Sequence, residues 1–178
     1  MLYTMRAKDN ALSYLIKDFL TGKHGLVGIE IGSYAGESAE MFLSSDAFAK
    51  LYCIDPWQMG YDPGDTTSGD GLPLAEQAFD KRFKDNQTVV KVKKFSNDAV
   101  SMFADNSIDF LYIDGDHRYE FCKQDLQNYV PKVKSGGILA GHDYGWGGKD
   151  GVTKAVDEFF KEKPLKHYAD NSWIFLKK

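Results

Sequence analysis

The chain has 178 residues, enough for one domain with a substantial core, and its net charge of −4 argues against a phosphate backbone as the main partner. Cys53 lies in an apolar run and Cys122 in a helical stretch, so the two cysteines read as reduced thiols rather than a disulfide framework. Residues 1–25 mix Arg6, Lys8, Asp9, Lys17 and Asp18 into their apolar positions, unlike a signal peptide, and no later run reaches membrane-spanning length. The expectation is a soluble, cytoplasmic single domain over 1–178, with no membrane and no nucleic acid as partner.

Ala11, Leu12, Leu15, Ile16, Phe19 and Leu20 recur with helical spacing and stop at Gly22, predicting an opening helix within 1–25. Apolar runs then alternate with helical stretches. Strands are predicted at about 26–32, 50–55, 88–95, 108–114 and 137–142, and helices at about 37–48, 74–85, 98–104 and 118–133. Runs such as Phe110-Leu111-Tyr112-Ile113 are apolar on both faces, as parallel strands covered on both sides require. The fold class is therefore α/β, a Rossmann-like doubly wound, mostly parallel sheet with helices on both faces. A helix at about 152–162 stops before Pro164, and two last strands meet at Asp170-Asn171, predicting an antiparallel C-terminal hairpin. Phe42, Phe48, Phe79, Phe83, Phe103, Phe159 and Phe160 sit at helical spacing and are expected to pack on the sheet. Lys91-Val92-Lys93-Lys94 and Lys177-Lys178 read as exposed strand positions and a solvated tail, and His24 and His167 as surface residues. The long irregular stretch 57–72, rich in Gly, Asp and Thr, is expected to be a lid over the ligand edge.

Four predicted strands each end in a carboxylate: Glu30, Asp55, Asp114 and Asp143. Acids at that edge of an apolar core are costly unless used, and in open α/β sheets the C-terminal edge is where ligands bind. Glu30-Ile31-Gly32-Ser33-Tyr34-Ala35-Gly36 is strand, tight turn and helix start. Gly32 and Gly36 would let the backbone approach a ligand closely. The turn lacks the G-x-G-x-x-G of a dinucleotide site, and Glu30 would repel a pyrophosphate. A ligand with an ammonium or sulfonium centre fits better, and Asp55, 23 positions after Gly32, suits a ribose.

With Ile54-Asp55-Pro56-Trp57, Ile113-Asp114-Gly115-Asp116-His117-Arg118-Tyr119-Glu120 and Gly136-Gly137-Ile138 leading into His142-Asp143, the turn resembles the class I S-adenosylmethionine-dependent methyltransferases. Among these it is most similar to the small bacterial branch related to macrolide-sugar and catechol-type O-methyltransferases, over about residues 25–178. The resemblance implies that Glu30 and Gly32 line the methionine end of S-adenosyl-L-methionine, with Ser33, Tyr34, Gly36 and Asp114 in the same contact set. It implies Asp55 on the ribose with Trp57 beside it, and Ser96, Asn97 and Asp98 at the adenine edge. Asp98 reads equally as a cap for a helix from Ala99 to Ala104.

Asp114, Asp116, His117, His142 and Asp143 come from two strand ends that should be neighbours. Methyl transfer to a hydroxyl needs the acceptor held and deprotonated, which an oxygen-liganded divalent cation assists. The resemblance implies Asp114 and Asp143 as metal ligands with His142 beside them. The imidazole turns the choice from Mg²⁺ toward a softer ion such as Mn²⁺, or to no direct ligation. Asp116 or His117 is the expected general base, while Asp116 equally reads as a helix cap. Tyr144-Gly145-Trp146-Gly147-Gly148 suggests a substrate loop. The leading expectation is O-methylation of a small hydroxylated acceptor, a sugar or phenol. The alternatives are an NAD-type nucleotide-binding enzyme and a non-catalytic protein of the same fold.

Overall fold

The computed structural model describes residues 11–60, 68–145 and 151–178. In chain order its elements are α1 (Ala11–Phe19), β1 (Leu26–Ile31), α2 (Glu37–Leu43), β2 (Phe48–Asp55), α3 (Leu72–Phe83), β3 (Val89–Lys93) and α4 (Ser96–Ala99), which continues as a 3₁₀ turn over Val100–Met102. There follow β4 (Ile108–Ile113), α5 (Tyr119–Tyr129) with a 3₁₀ turn Val130–Lys132, β5 (Val133–Gly141), α6 (Gly151–Phe160), β6 (Lys166–His167) and β7 (Trp173–Leu176).

The period-2 alternation of the strands sorts their side chains onto two faces of one sheet. Leu51 and Cys53, Phe110 and Tyr112, and Ile138 and Ala140 face α1, α2 and α3, packing with Leu12, Leu15, Ala39, Phe42, Phe79 and Phe83. Ile29, Ile54, Leu111, Ile113, Leu139 and Trp173 face α4, α5 and α6, packing with Ala99, Leu126, Tyr129, Ala155 and Val156. Both faces are therefore dry, which explains the unbroken apolar runs.

The strand order is β3-β2-β1-β4-β5-β7-β6. The first five strands are parallel, and β7 pairs antiparallel with both β5 and β6. The hairpin turn forms as expected: Asn171 takes φ 67°, and the Asp170 carboxylate accepts from Ser172 N at 2.9 Å. No helix of the described residues is long and apolar enough to cross a membrane.

Several boundaries differ from the sequence expectation. The helix from Glu37 stops at Leu43 because the Ser44 and Ser45 hydroxyls bond back to the Met41 and Phe42 carbonyls, each at 2.6 Å. Phe48 consequently opens β2 instead of ending a helix, and its ring fills the space left by Gly28. The α4 helix starts at Ser96 after an extended Phe95. Asp98 is thus in its first turn and is not its cap. Pro131 limits α5, which tightens into a 3₁₀ turn. Lys91 and Lys93 are paired with Glu76 and, for Lys91, Asp80 on α3. Residues 61–67 of the expected lid and Trp146 to Gly148 of the expected substrate loop lie outside the described residues. Tyr144 lies within them and is tied down: its amide bonds Asn171 O at 3.0 Å, and its hydroxyl donates to Asp157 at 2.7 Å.

Candidate active site

The chain leaves β1 in one direction and β4 in the other, so the strand order reverses between them and opens a crevice at their C-terminal ends. Gly32 leaves β1 at φ 86°, and a Cβ there would sit 2.0 Å from the Asp114 carbonyl oxygen. Gly36, at φ 83°, presses on the Phe83 ring in the same way. Both glycines thus allow close approach to protein neighbours, in addition to any approach to a ligand. The contact at Gly32 puts the first turn directly against the acids at the end of β4.

On the β1–β2 side the polar groups are held by the main chain and by one another. Glu30 is fully buried and accepts a hydrogen bond from the Ser38 hydroxyl at 2.5 Å. The Ser33 hydroxyl is buried (2 % exposed) beside the Cys53 thiol. Asp55 accepts the Tyr34 amide on one oxygen at 2.9 Å and the Trp57 amide on the other at 2.7 Å. Burial raises its pKa and those two amides pull it back. Trp57 adopts φ 44° and donates its indole N–H to Tyr34 O at 2.8 Å. Its ring is buried, with Phe79 5.0 Å away and Lys91 over it, so it braces the Tyr34 turn from beneath.

Ser96 and Asn97 are brought near this side but are held from behind by α5. Asn97 donates to Gln124 at 2.8 Å and accepts from Asn128 at 2.9 Å, so both ends of its amide are engaged. The Ser96 carbonyl accepts from Tyr129 at 2.6 Å.

On the β4–β5 side the structure gathers Asp114, His117, His142 and Asp143. Asp114, His117 and Asp143 each offer a donor atom, and these atoms lie within 4.8 Å of one another. His117 Nε2 is 2.9 Å from Asp143 Oδ2 and 3.9 Å from Asp114 Oδ1. His142 Nδ1 is 3.2 Å from Asp143 Oδ1 and 3.7 Å from Asp114 Oδ1. Burial works against a charged imidazole, but the two carboxylates outweigh it and raise the His117 pKa to about 10. Asp143, at φ 61°, is held below the usual carboxylate range: burial raises it, and the two imidazoles outweigh that.

Asp116 points elsewhere. It accepts from the Arg118 amide at 3.0 Å and from Arg118 Nε at 2.9 Å, with NH2 at 2.5 Å, and the guanidinium lies over Phe121. The residue capping α5 is Arg118, without a side-chain cap bond, so Asp116 shapes the turn before the helix and does not cap it. Sequence reasoning passed over Arg118, although an Asp two residues before an Arg is a signal for this closed turn. It also passed over Ser38, a polar residue on the buried face of α2 that bonds Glu30.

The crevice at the switch point thus carries Asp55 at the end of β2 and an acid–histidine cluster at its far side, the edge at which α/β domains hold ligands. Residues 29–144 match the methyltransferase-domain family, and the chain belongs to it. Among curated proteins it is 29 % identical over 134 residues to an uncharacterised protein of Acanthamoeba polyphaga mimivirus, covering 68 % of this chain and 53 % of that one. It is 27 % identical over 123 residues to one of Sinorhizobium fredii, covering 65 % of this chain and 13 % of that one. The chain therefore spans about half or less of these relatives. Among solved structures it resembles the O-methyltransferase NovP (18 % identity, TM-score 0.61, 94 % of this chain and 76 % of NovP). A Streptococcus mutans protein in complex with SAH superposes with TM-score 0.62 at 16 % identity, covering 98 % and 97 % of the two chains. An rRNA methylase from Streptococcus thermophilus does so with TM-score 0.63 at 12 % identity, covering 97 % and 100 %. The fold is that of the class I S-adenosylmethionine-dependent methyltransferases.

Proposed function

We propose that the chain transfers a methyl group from S-adenosylmethionine to a hydroxyl of a small acceptor, a sugar or phenol, with a divalent cation at the acceptor side. The observation that carries this is the contact at Gly32, which sets the first turn and the acid–histidine cluster side by side in one crevice. The buried Ser33 hydroxyl and the Glu30 and Asp55 carboxylates fit a cofactor with a cationic centre and a ribose, and lie where a pyrophosphate would be repelled.

S-adenosylmethionine would supply an electrophilic methyl on a sulfonium sulfur. Asp55, its carboxylate fixed by two amides, would accept from the ribose with its remaining lone pairs. Glu30, buried beside the same turn, favours the sulfonium charge. Because each end of the Asn97 amide is held by α5, the main chain around Ser96 and Asn97 would meet the adenine.

Two carboxylates with one or two imidazoles suit a mid-row divalent ion such as Mn²⁺ better than Mg²⁺. Asp114 and Asp143 would hold it, with His117 or His142 adjoining. There it would supply Lewis acidity that lowers the pKa of an acceptor hydroxyl. Asp116 is committed to Arg118 and serves to fix the turn. His117 is then the group left to take the acceptor's proton, once the acids it pairs with are otherwise engaged.

The net charge of −4 and the acidic crevice favour a small acceptor over RNA. A thermal-shift screen of S-adenosylmethionine, S-adenosylhomocysteine and NAD, each with and without Mg²⁺ or Mn²⁺, tests the whole reading. The expected result is stabilisation by the first two and not by NAD, with a further rise in metal. Stabilisation by NAD alone would reject it.

A further inference from the structure

The first turn of α6 touches both chain segments that carry the acid–histidine cluster. Toward the turn after β4, a Cβ added at Gly151 would lie 2.2 Å from the His117 carbonyl oxygen, 2.9 Å from the Tyr119 amide nitrogen and 3.3 Å from the Arg118 carbonyl carbon. All three are main-chain atoms, which cannot swing aside as the end of a side chain can. Gly151 is itself helical and has no positive φ, so its own backbone does not call for glycine. The close approach to His117 does.

Toward the segment after β5, the Thr153 hydroxyl accepts the Gly145 amide at 2.8 Å. Gly145 is two residues past Asp143. Tyr144 between them is fixed at its amide by Asn171 O and at its hydroxyl by Asp157, which is also on α6. The helix has little room to retreat: Val152, Ala155 and Val156 are buried in the core, and Glu158 accepts from the hydroxyl of Tyr119, the first residue of α5. His117 and Asp143 leave different strands, so their 2.9 Å contact depends on how those two exits are spaced.

We propose that Gly151 and Thr153 are positioning residues: the first turn of α6 spaces the His117 turn against the segment from Asp143 to Gly145, and so sets the geometry in which that pair receives a divalent cation. This rests on the reading of the cluster as the acceptor-side metal site. A side chain at position 151 has to displace either the His117 peptide or α6, and α6 takes Gly145 with it. In both cases His117 and Asp143 part.

The test is calorimetric titration of Mn²⁺ and, separately in EDTA, of S-adenosylhomocysteine into the full chain, for the wild type, Gly151→Ala, Thr153→Val and Thr153→Ser. Gly151→Ala should weaken Mn²⁺ binding by about tenfold or more, the scale of lost outer support for metal ligands, and Thr153→Val by about threefold or more. Thr153→Ser keeps the hydroxyl and should bind Mn²⁺ as the wild type does. S-adenosylhomocysteine affinity should stay within about twofold throughout, because Asp55 and its two amides take no part in these contacts. Unchanged Mn²⁺ affinity in Gly151→Ala and Thr153→Val, or a parallel fall for both ligands as a merely structural role would give, overturns the proposal. Where Gly151→Ala folds poorly, the two threonine variants decide. A wild type that takes no Mn²⁺ rejects the metal of the proposed function instead, and metal-free crystal structures of the variants then decide the spacing. His117 and Asp143 parted beyond about 3.5 Å in Gly151→Ala or Thr153→Val uphold it, and the contact kept in both overturns it. Failure of S-adenosylhomocysteine to bind the wild type rejects the cofactor reading and leaves the Mn²⁺ comparison standing.

Discussion

At the end of β2 a buried carboxylate takes two main-chain amides, whereas at the ends of β4 and β5 two carboxylates take two imidazoles. The first arrangement is fixed by backbone geometry, with Tyr34 and Trp57 both at positive φ so that their amides converge on Asp55. The second is fixed by charge between side chains. A preformed cradle suits a cofactor common to every turnover, and a charge-balanced cluster suits a metal and an acceptor that come and go. Gly32 is where the two meet.

Breaking the meeting point should have the largest effect. Gly32→Ala puts a methyl into the Asp114 carbonyl at a left-handed backbone position, so a loss of about 3 kcal/mol or more is expected in urea unfolding. A loss below about 1 kcal/mol would show that the halves are not in contact. Asp143→Asn attacks the charged half alone. Turnover should fall by about 100-fold, with S-adenosylhomocysteine affinity changed by less than about threefold, and EDTA should reproduce this. Undiminished turnover in excess EDTA would reduce Asp114 and Asp143 to hydrogen-bonding acids. Asp55→Ala attacks the backbone-held half and should weaken S-adenosylhomocysteine by about 1–3 kcal/mol in calorimetry while leaving Mn²⁺ binding as it was.

The smallest expected effect is on stability at Asp125. Its folded pKa, about 7, exceeds the ordinary 3.8, so the folded state binds more protons than the unfolded one between those values. Stability from this group is therefore full below about pH 4 and declines as pH rises to about 7. Asp125→Asn should gain on the wild type over that window, reaching about 1–2 kcal/mol by pH 8, after allowance for the bond geometry the amide forfeits. Parallel denaturation curves at pH 5 and pH 8 would contradict the assignment.

The sheet, its helices and the C-terminal hairpin were legible in the sequence because both-face burial leaves unbroken apolar runs and Asp170-Asn171 marks the turn. The strand-end acids were legible for a related reason, since an acid beside a core stands out. What a linear reading could not supply was pairing across the fold. That Asp116 belongs to Arg118, and that His117 lies between Asp114 and Asp143, depends on how the turn after β4 closes. The glycines show the same limit: their positive φ is readable, but whether the space they leave goes to a ligand or to Asp114 and Phe83 is not. Phe48 was misplaced because Ser44 and Ser45 end their helix with side-chain bonds that periodicity does not register.

The central claim is that the first turn with Asp55 is an S-adenosylmethionine cradle. Calorimetric titration of S-adenosylhomocysteine into the full chain, set against the same titration with NAD, tests it most directly. Saturable one-to-one heat with S-adenosylhomocysteine and none with NAD is the predicted result. No heat with S-adenosylhomocysteine, together with saturable binding of NAD, would contradict it.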